Sequence, residues 1–295
     1  MRVVSLLPSA TESLCLLGGA PLLVGRSHEC DFPPSAQHVP TLTSQVTAYT
    51  SAAEIDRAVS TRLASGQSLY HLDTERLQEL RPDLVITQDL CDVCSIDLET
   101  VRAAAAAMQP TPEVLSLNPT TFEHVLDDLI HIGRAIGMER DAQDTVVALR
   151  QRFFAAADFV NPYADRPSVA FLEWTDPPYI GGHWTPQLIE RAGATHPLNP
   201  TEPMQDAGAG AGGQYAHRIA GKSTRIAPEQ LTASEPDFLV VCPCGLDLEH
   251  TRHETEALRT QSWFASLQAV QAGRVALVDG NQMFNRPGPR RRRTS

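Results

Sequence analysis

The chain has 295 residues, 42% of them hydrophobic, and a formal net charge of -11. That length supplies two cores of ordinary domain size, at roughly 100 to 200 residues each, while the acidic balance without a basic stripe argues against nucleic acid as a partner. Basic residues cluster only at Arg290 to Arg293, within a solvated tail over 291–295, and no apolar run approaches the ~18 residues that span a bilayer.

In chain order, apolar runs alternate with helical patterns, the signature of parallel sheets covered by helices. Val3 to Leu7 predicts a strand, Ala10 to Leu17 a helix and Leu22 to Gly25 a second strand. A helix over Thr74 to Leu80 leads into a strand over Leu84 to Thr87; a helix over Leu98 to Met108 precedes a strand over Val114 to Leu117 and a helix over Thr121 to Ile136. Asp73 and Thr120 stand where N-caps are wanted, and Gly18 and Gly137 where helices stop. Glu139 to Phe159 carries Val146, Leu149, Phe153 and Ala156 at helical spacing with no Gly or Pro, so it predicts a long connecting helix. Strands follow at Val169 to Leu172, Phe238 to Val241 and Val275 to Val278, and Asp206 to Gly213 is a low-complexity loop. The division is an N-terminal lobe over 1–137, a connector over 138–160 and a C-terminal lobe over 161–290.

Internal similarity supports two lobes. Residues 74–86 and 228–240 share Glu, Leu, Pro and Asp in register; Thr11, Leu14, Gly19 and Ala20 match Thr185, Leu188, Gly193 and Ala194; and Val114 to Asn118 parallels Val275 to Asp279. One α/β unit is used twice.

Ligands of parallel α/β sheets gather where loops leave the carboxyl ends of the strands. Here those loops hold Ser27 to Pro34, with His28, Glu29 and Cys30; Asp89 to Cys94, with Cys91, Asp92 and Cys94; Glu173 to Trp184, with Trp174, Tyr179 and His183; and Cys242 to Gly245. Arg2 to Gly19 with Val24 to Pro34, the two Glu-to-Asp repeats, and Val169 to Gly182 ending in Asp-Pro-Pro-Tyr-Ile-Gly-Gly resemble the cobalamin and iron-siderophore branch of the periplasmic binding proteins that serve ABC importers. The resemblance runs from Arg2 to about Arg290. It implies two Rossmann-like lobes joined by a rigid helix, the class III fold of that family, gripping a corrinoid or ferric siderophore between them. It places Glu29, Trp174 and Asp176 to Tyr179 at ligand-facing positions, and Glu75 and Glu229 where each lobe offers a carboxylate to arginines of a membrane permease. Family members continue past Asn285 to Arg290 into a C-terminal helix and carry an export leader. Without either, the sequence as it stands reads as a cytoplasmic monomer, or as a periplasmic or cell-surface protein if its precursor starts elsewhere.

His28 and His183 are candidate ligands for cobalt or iron, and Trp174, Tyr179, Trp184 and Phe284 are candidate apolar walls; Asp92, Glu173 and Arg286 complete the polar set. Trp263 and Cys15 read as packing. Cys91, Cys94, Cys242 and Cys244 form Cys-x-x-Cys and Cys-x-Cys pairs, alternative soft ligands for Zn or an Fe-S centre in a metal- or thiol-dependent protein or enzyme. No catalytic motif is present, so a non-enzymatic binder that requires no cofactor is the expectation.

Overall fold

Alternation within the shortest strands decides which helices cover which face. In β1 (Val3–Ser5), Val3 turns to a cluster formed with Leu14 of α1 (Pro8–Leu16) and Leu129 and Ile132 further along the chain, while Val4 turns to the opposite cluster with Leu77, Val85 and Val101. The computed structural model describes residues 1–46, 49–90, 96–161, 163–204, 218–282 and 284–288. After β2 (Leu23–Arg26), the chain forms β3 (Thr43–Gln45), α2 (Ala52–Ala64), β4 (Tyr70–Leu72), α3 (Thr74–Leu80), β5 (Leu84–Thr87), α4 (Leu98–Ala106), β6 (Glu113–Ser116) and α5 (Phe122–Ala135). The first lobe is the parallel sheet β2-β1-β5-β6 with helices on both faces; β3 and β4 pair separately as an antiparallel ribbon.

The connector is α6 (Glu139–Ala157), folded back on α5. Phe122 stacks on Phe153 with ring centroids 3.9 Å apart, and Arg150 meets Glu123 at 2.6 Å. The second lobe follows as β7 (Val169–Trp174), β8 (Tyr179–Ile180), α7 (Thr185–Arg191), β9 (Glu202–Pro203), β10 (Arg218–Ile219), β11 (Thr224–Arg225), α8 (Pro228–Ala233), β12 (Phe238–Val241), α9 (Leu248–Arg259), α10 (Ser262–Ser266), α11 (Gln268–Gln271) and β13 (Val275–Leu277). Its sheet runs β11-β8-β7-β12-β13, with β7, β12 and β13 parallel and β8 and β11 antiparallel.

The duplication is visible in the backbone. Arg81 and Glu235, equivalent in the repeat, both adopt the left-handed conformation, at φ 43 and 41. A Pro-Asp pair follows each. Asp83 accepts a hydrogen bond from the Arg2 N–H at 2.6 Å, and Asp237 one from the Ser168 N–H at 2.8 Å, so each carboxylate grips the residue before the neighbouring strand, β1 or β7. Leu77 and Leu231 are fully buried at matching positions.

At the first helices the repeat shifts by one residue. Gly18 and Gly193, at φ 86 and 87, close α1 and α7, so Gly18 rather than Gly19 is the counterpart of Gly193. Among the described residues, the second lobe has no full counterpart of β2. A single bridge between Ser168 and Thr195 stands there, and β8 with β11 fills the edge.

Other boundaries differ for local reasons. Proline at the first helical position starts α1 at Pro8, two residues before the predicted Ala10. Thr121, not Thr120, caps α5 by accepting from the His124 N–H, and the Thr120 hydroxyl meets the His124 ring instead. The connecting helix ends at Ala157 rather than Phe159. The ribbon, α2 and the short strands of lobe two were not predicted. The loop at Asp206 to Gly213 and the run Arg290 to Arg293 lie outside the described residues.

Leu77→Ala and Leu231→Ala should each lower the unfolding free energy by about 2 to 5 kcal/mol, the usual range for such a truncation in a closed core. Urea denaturation followed by circular dichroism measures both.

Candidate functional site

Parallel strands send every following loop to one end of the sheet, and at that end the segment after β2 meets the segment after β13, while β7 and β8 meet α2, across the seam between the lobes. Arg286 of lobe two reaches Asp31 of lobe one at 2.5 Å, beside Glu29, and α7 contributes Gln187, whose Oε1 accepts from the Phe122 N–H at 2.7 Å. On the other side, Trp174 Nε1 donates to the Ala52 carbonyl at 3.2 Å, and the Tyr179 hydroxyl lies 3.3 Å from Asp56 Oδ1.

In lobe one, burial holds the Glu29 carboxyl above its ordinary range, with Asp31 adding to the rise and Arg286 opposing it. His28 lies beneath the ribbon. Its Nδ1 is 2.7 Å from Thr43 Oγ1, which lies 3.0 Å from Ser27 Oγ, and the buried Nε2 has no hydrogen-bond partner among the described residues. Burial, followed by the Arg26 charge, lowers the pKa of His28 and favours the neutral ring. Cys30 is buried and its sulfur accepts from Thr11; burial raises its thiol to about 11.

In lobe two, Glu173 accepts from the Gly182 N–H at 3.2 Å, and burial drives its carboxyl up to about 7 against the hydrogen bonds from Ser223 and Gly182. A side chain at 182 is excluded, because a Cβ there would sit 2.1 Å from the Ser223 nitrogen. His183 follows at φ 54, with its N–H on the Gly221 carbonyl; burial and then Lys222 lower its pKa. Glu173, His183, Lys222 and Ser223 thus form one polar group next to Trp174 and Tyr179.

Several predicted residues do other work. Trp184 is 8% exposed, and its indole N–H donates to the Phe284 carbonyl at 2.7 Å; the Phe284 ring packs on Phe171 at 5.1 Å. Both aromatics therefore bind the chain after β13 to lobe two. Cys242 packs with Phe171, Ile189 and Ala194, and burial keeps its thiol protonated, whereas Cys244 is exposed. Asp92, Cys91 and Cys94 lie outside the described residues. Among the described residues, no group of three or more His, Cys, Asp or Glu side chains is arranged to hold a metal ion. Glu75 and Glu229 are exposed, each in the first turn of its helix, α3 and α8. No helix among the described residues is long and apolar enough to cross a membrane.

Sequence reasoning missed Tyr49, Asp56 and Glu254, all of which act at this seam. For α2 a signal existed: Ser51 followed by Glu54 begins a capping pattern, and the Ser51 hydroxyl accepts from the Glu54 N–H. Nothing in the mixed charges of α9 singles out Glu254.

The model of the periplasmic binding protein family matches residues 3–281. The chain belongs to that family. Its fold is that of the periplasmic heme-binding protein of Roseiflexus sp. RS-1 in apo form, at 20% identity over 98% of this chain and 92% of that one, with a TM-score of 0.66. The periplasmic vitamin B12-binding protein of Vibrio cholerae superimposes with a TM-score of 0.64 at 18% identity, covering 97% and 90%. A possible iron-binding periplasmic solute-binding protein from Staphylococcus epidermidis ATCC 12228 gives 0.65 at 19%, covering 98% and 93%. No curated protein matches the sequence significantly. The class III architecture expected from the sequence is the one this binding protein has.

The Glu173 carboxyl gives a pH test. Its folded pKa of about 7 lies above the ordinary 4.5, so the native state binds more protons across that window and loses stability as pH rises through it. Glu173→Gln removes this dependence. Denaturation at pH 5 and pH 8 should show the variant gaining on wild type by up to about 3 kcal/mol at the higher pH.

Proposed function

We propose that the chain is the solute-binding component of an ABC-type importer, holding an iron- or cobalt-centred macrocycle or a ferric siderophore between its lobes without transforming it. The observation that carries this reading is the contact of the two lobes across one seam, where Asp31, beside Glu29, meets Arg286, and where Trp174 and Tyr179, next to Glu173 and His183, meet α2. An aromatic face beside buried polar groups suits a large, mostly apolar ring with polar substituents. Three structural relatives are described as binding heme, vitamin B12 or, in one case, as a possible iron-binding protein, which supports the ligand class. The bare Nε2 of His28 is a candidate ligand to the metal of such a molecule. A periplasmic or cell-surface setting fits this role.

Glu75 and Glu229 supply matching carboxylates on the two lobes, favoured where they stand by the helix dipole and free to meet cations on a permease. Glu75→Lys with Glu229→Lys should leave ligand affinity unchanged and abolish ligand-dependent uptake. Loss of affinity in that variant would contradict a docking role.

Calorimetric titration of the full chain with cyanocobalamin, dicyanocobinamide, hemin and ferrichrome tests the ligand class; binding of one chemical class at one site per chain is the expected result, and heat from none of the four overturns the proposal. With the ligand in hand, Trp174→Ala should weaken binding by about 1 to 3 kcal/mol. Trp184→Ala should act mainly on thermal stability.

A further inference from the structure

The helix α2 stands apart from the core of its own lobe. Of its thirteen residues only Ala52 is buried, so lobe one offers it little apolar anchorage. A helix of this length is marginal in water unless something holds it. Its anchors come from lobe two. Glu254, on α9 and 5% exposed, accepts from the Ala52 N–H at 3.1 Å and from the Tyr49 hydroxyl at 2.8 Å. The first N–H is one of the groups a helix leaves unsatisfied at its start, and a carboxylate there also meets the positive end of the helix dipole. The Tyr49 ring lies edge-on to His250, with centroids 4.1 Å apart. Trp174 Nε1 takes the Ala52 carbonyl, and the Tyr179 hydroxyl pairs with Asp56.

Two of these partners, Trp174 and Tyr179, are the aromatics of the candidate ligand wall. Trp174 Nε1 is shared between the Ala52 carbonyl at 3.2 Å and the Asp176 carbonyl of its own lobe at 3.1 Å, and the Tyr179 hydroxyl donates to Asp56, so α2 lies against that wall. We propose that α2 is a strap, fastened to lobe two by Glu254, that must be released for a ligand to reach the Trp174 and Tyr179 face. The gating role rests on the binding function proposed above; the fastening does not.

Hydrogen exchange of the full chain, read by mass spectrometry without ligand, tests the fastening. Glu254→Ala should accelerate exchange of the amides over 55–60 at least tenfold, Tyr49→Phe several-fold, and the exposed neighbour Glu256→Gln not at all, while α5 exchanges as in wild type. Equal rates over 55–60 in wild type and in the folded variants overturn the strap; should Glu254→Ala fail to fold, Tyr49→Phe decides. Stopped-flow mixing with hemin and with cyanocobalamin tests the gate. For a probe that wild type binds, Glu254→Ala should raise the association rate constant several-fold, and an unchanged rate alongside accelerated exchange overturns gating. Binding of neither probe by wild type counts against the ligand class alone, since the exchange result is obtained without ligand.

Discussion

Everything at the seam depends on how each central strand is set beside its neighbour. In both lobes a short helix ends on a left-handed residue, Arg81 or Glu235, and the next two residues are Pro and Asp. The carboxylate then takes the N–H just before the central strand, at Arg2 or Ser168. That hydrogen bond fixes β5 against β1 and β12 against β7 in one register. Since a parallel strand's exit point follows from its register, the bond at the amino end of each sheet determines where the loops at the carboxyl end emerge.

The same arrangement explains what could be read without a structure. The repeat at 74–86 and 228–240 is legible because the geometry it encodes is demanding: an exposed helix face, one buried leucine, a left-handed stop and a carboxylate at a fixed offset. The long connector is legible from its spacing. By contrast, Trp184 carries no mark of its surroundings, because an indole beside a helix start reads alike whether it faces a cleft or the Phe284 carbonyl. Cys242 is similar, since a thiol after a buried strand is equally suited to packing and to ligation. The two-residue strands β8 to β11 are too short for any alternation to show. Seam partners such as Glu254 lie about 200 residues from what they bind, a separation that local pattern does not encode.

The chemistry of the seam is shaped by burial more than by charge pairs. Glu29 and Glu173 are both held above the carboxylate range, and His28 and His183 both below the imidazole range, so each wall tends toward its neutral form. Such walls suit a ligand whose surface is chiefly uncharged, with polarity at a few fixed points. The Arg286 and Asp31 pair is the exception, and it ties the segment after β13 to the opposite lobe.

The replacement of a full parallel strand by a single bridge at Thr195, with β8 and β11 at that side of lobe two, bears on how the molecule behaves in company. Both sheets end in short strands: β2 and β6 have four residues each, β13 three and β11 two. The β2 edge is also met by Thr41, through its bridge to Arg26. Unpaired strand edges are templates for adding a strand from another chain, and the hazard grows with the length of edge on offer. Crowded copies of this protein therefore find little exposed backbone on which to polymerise, and the loss of symmetry between the lobes has left the second one no stickier than the first.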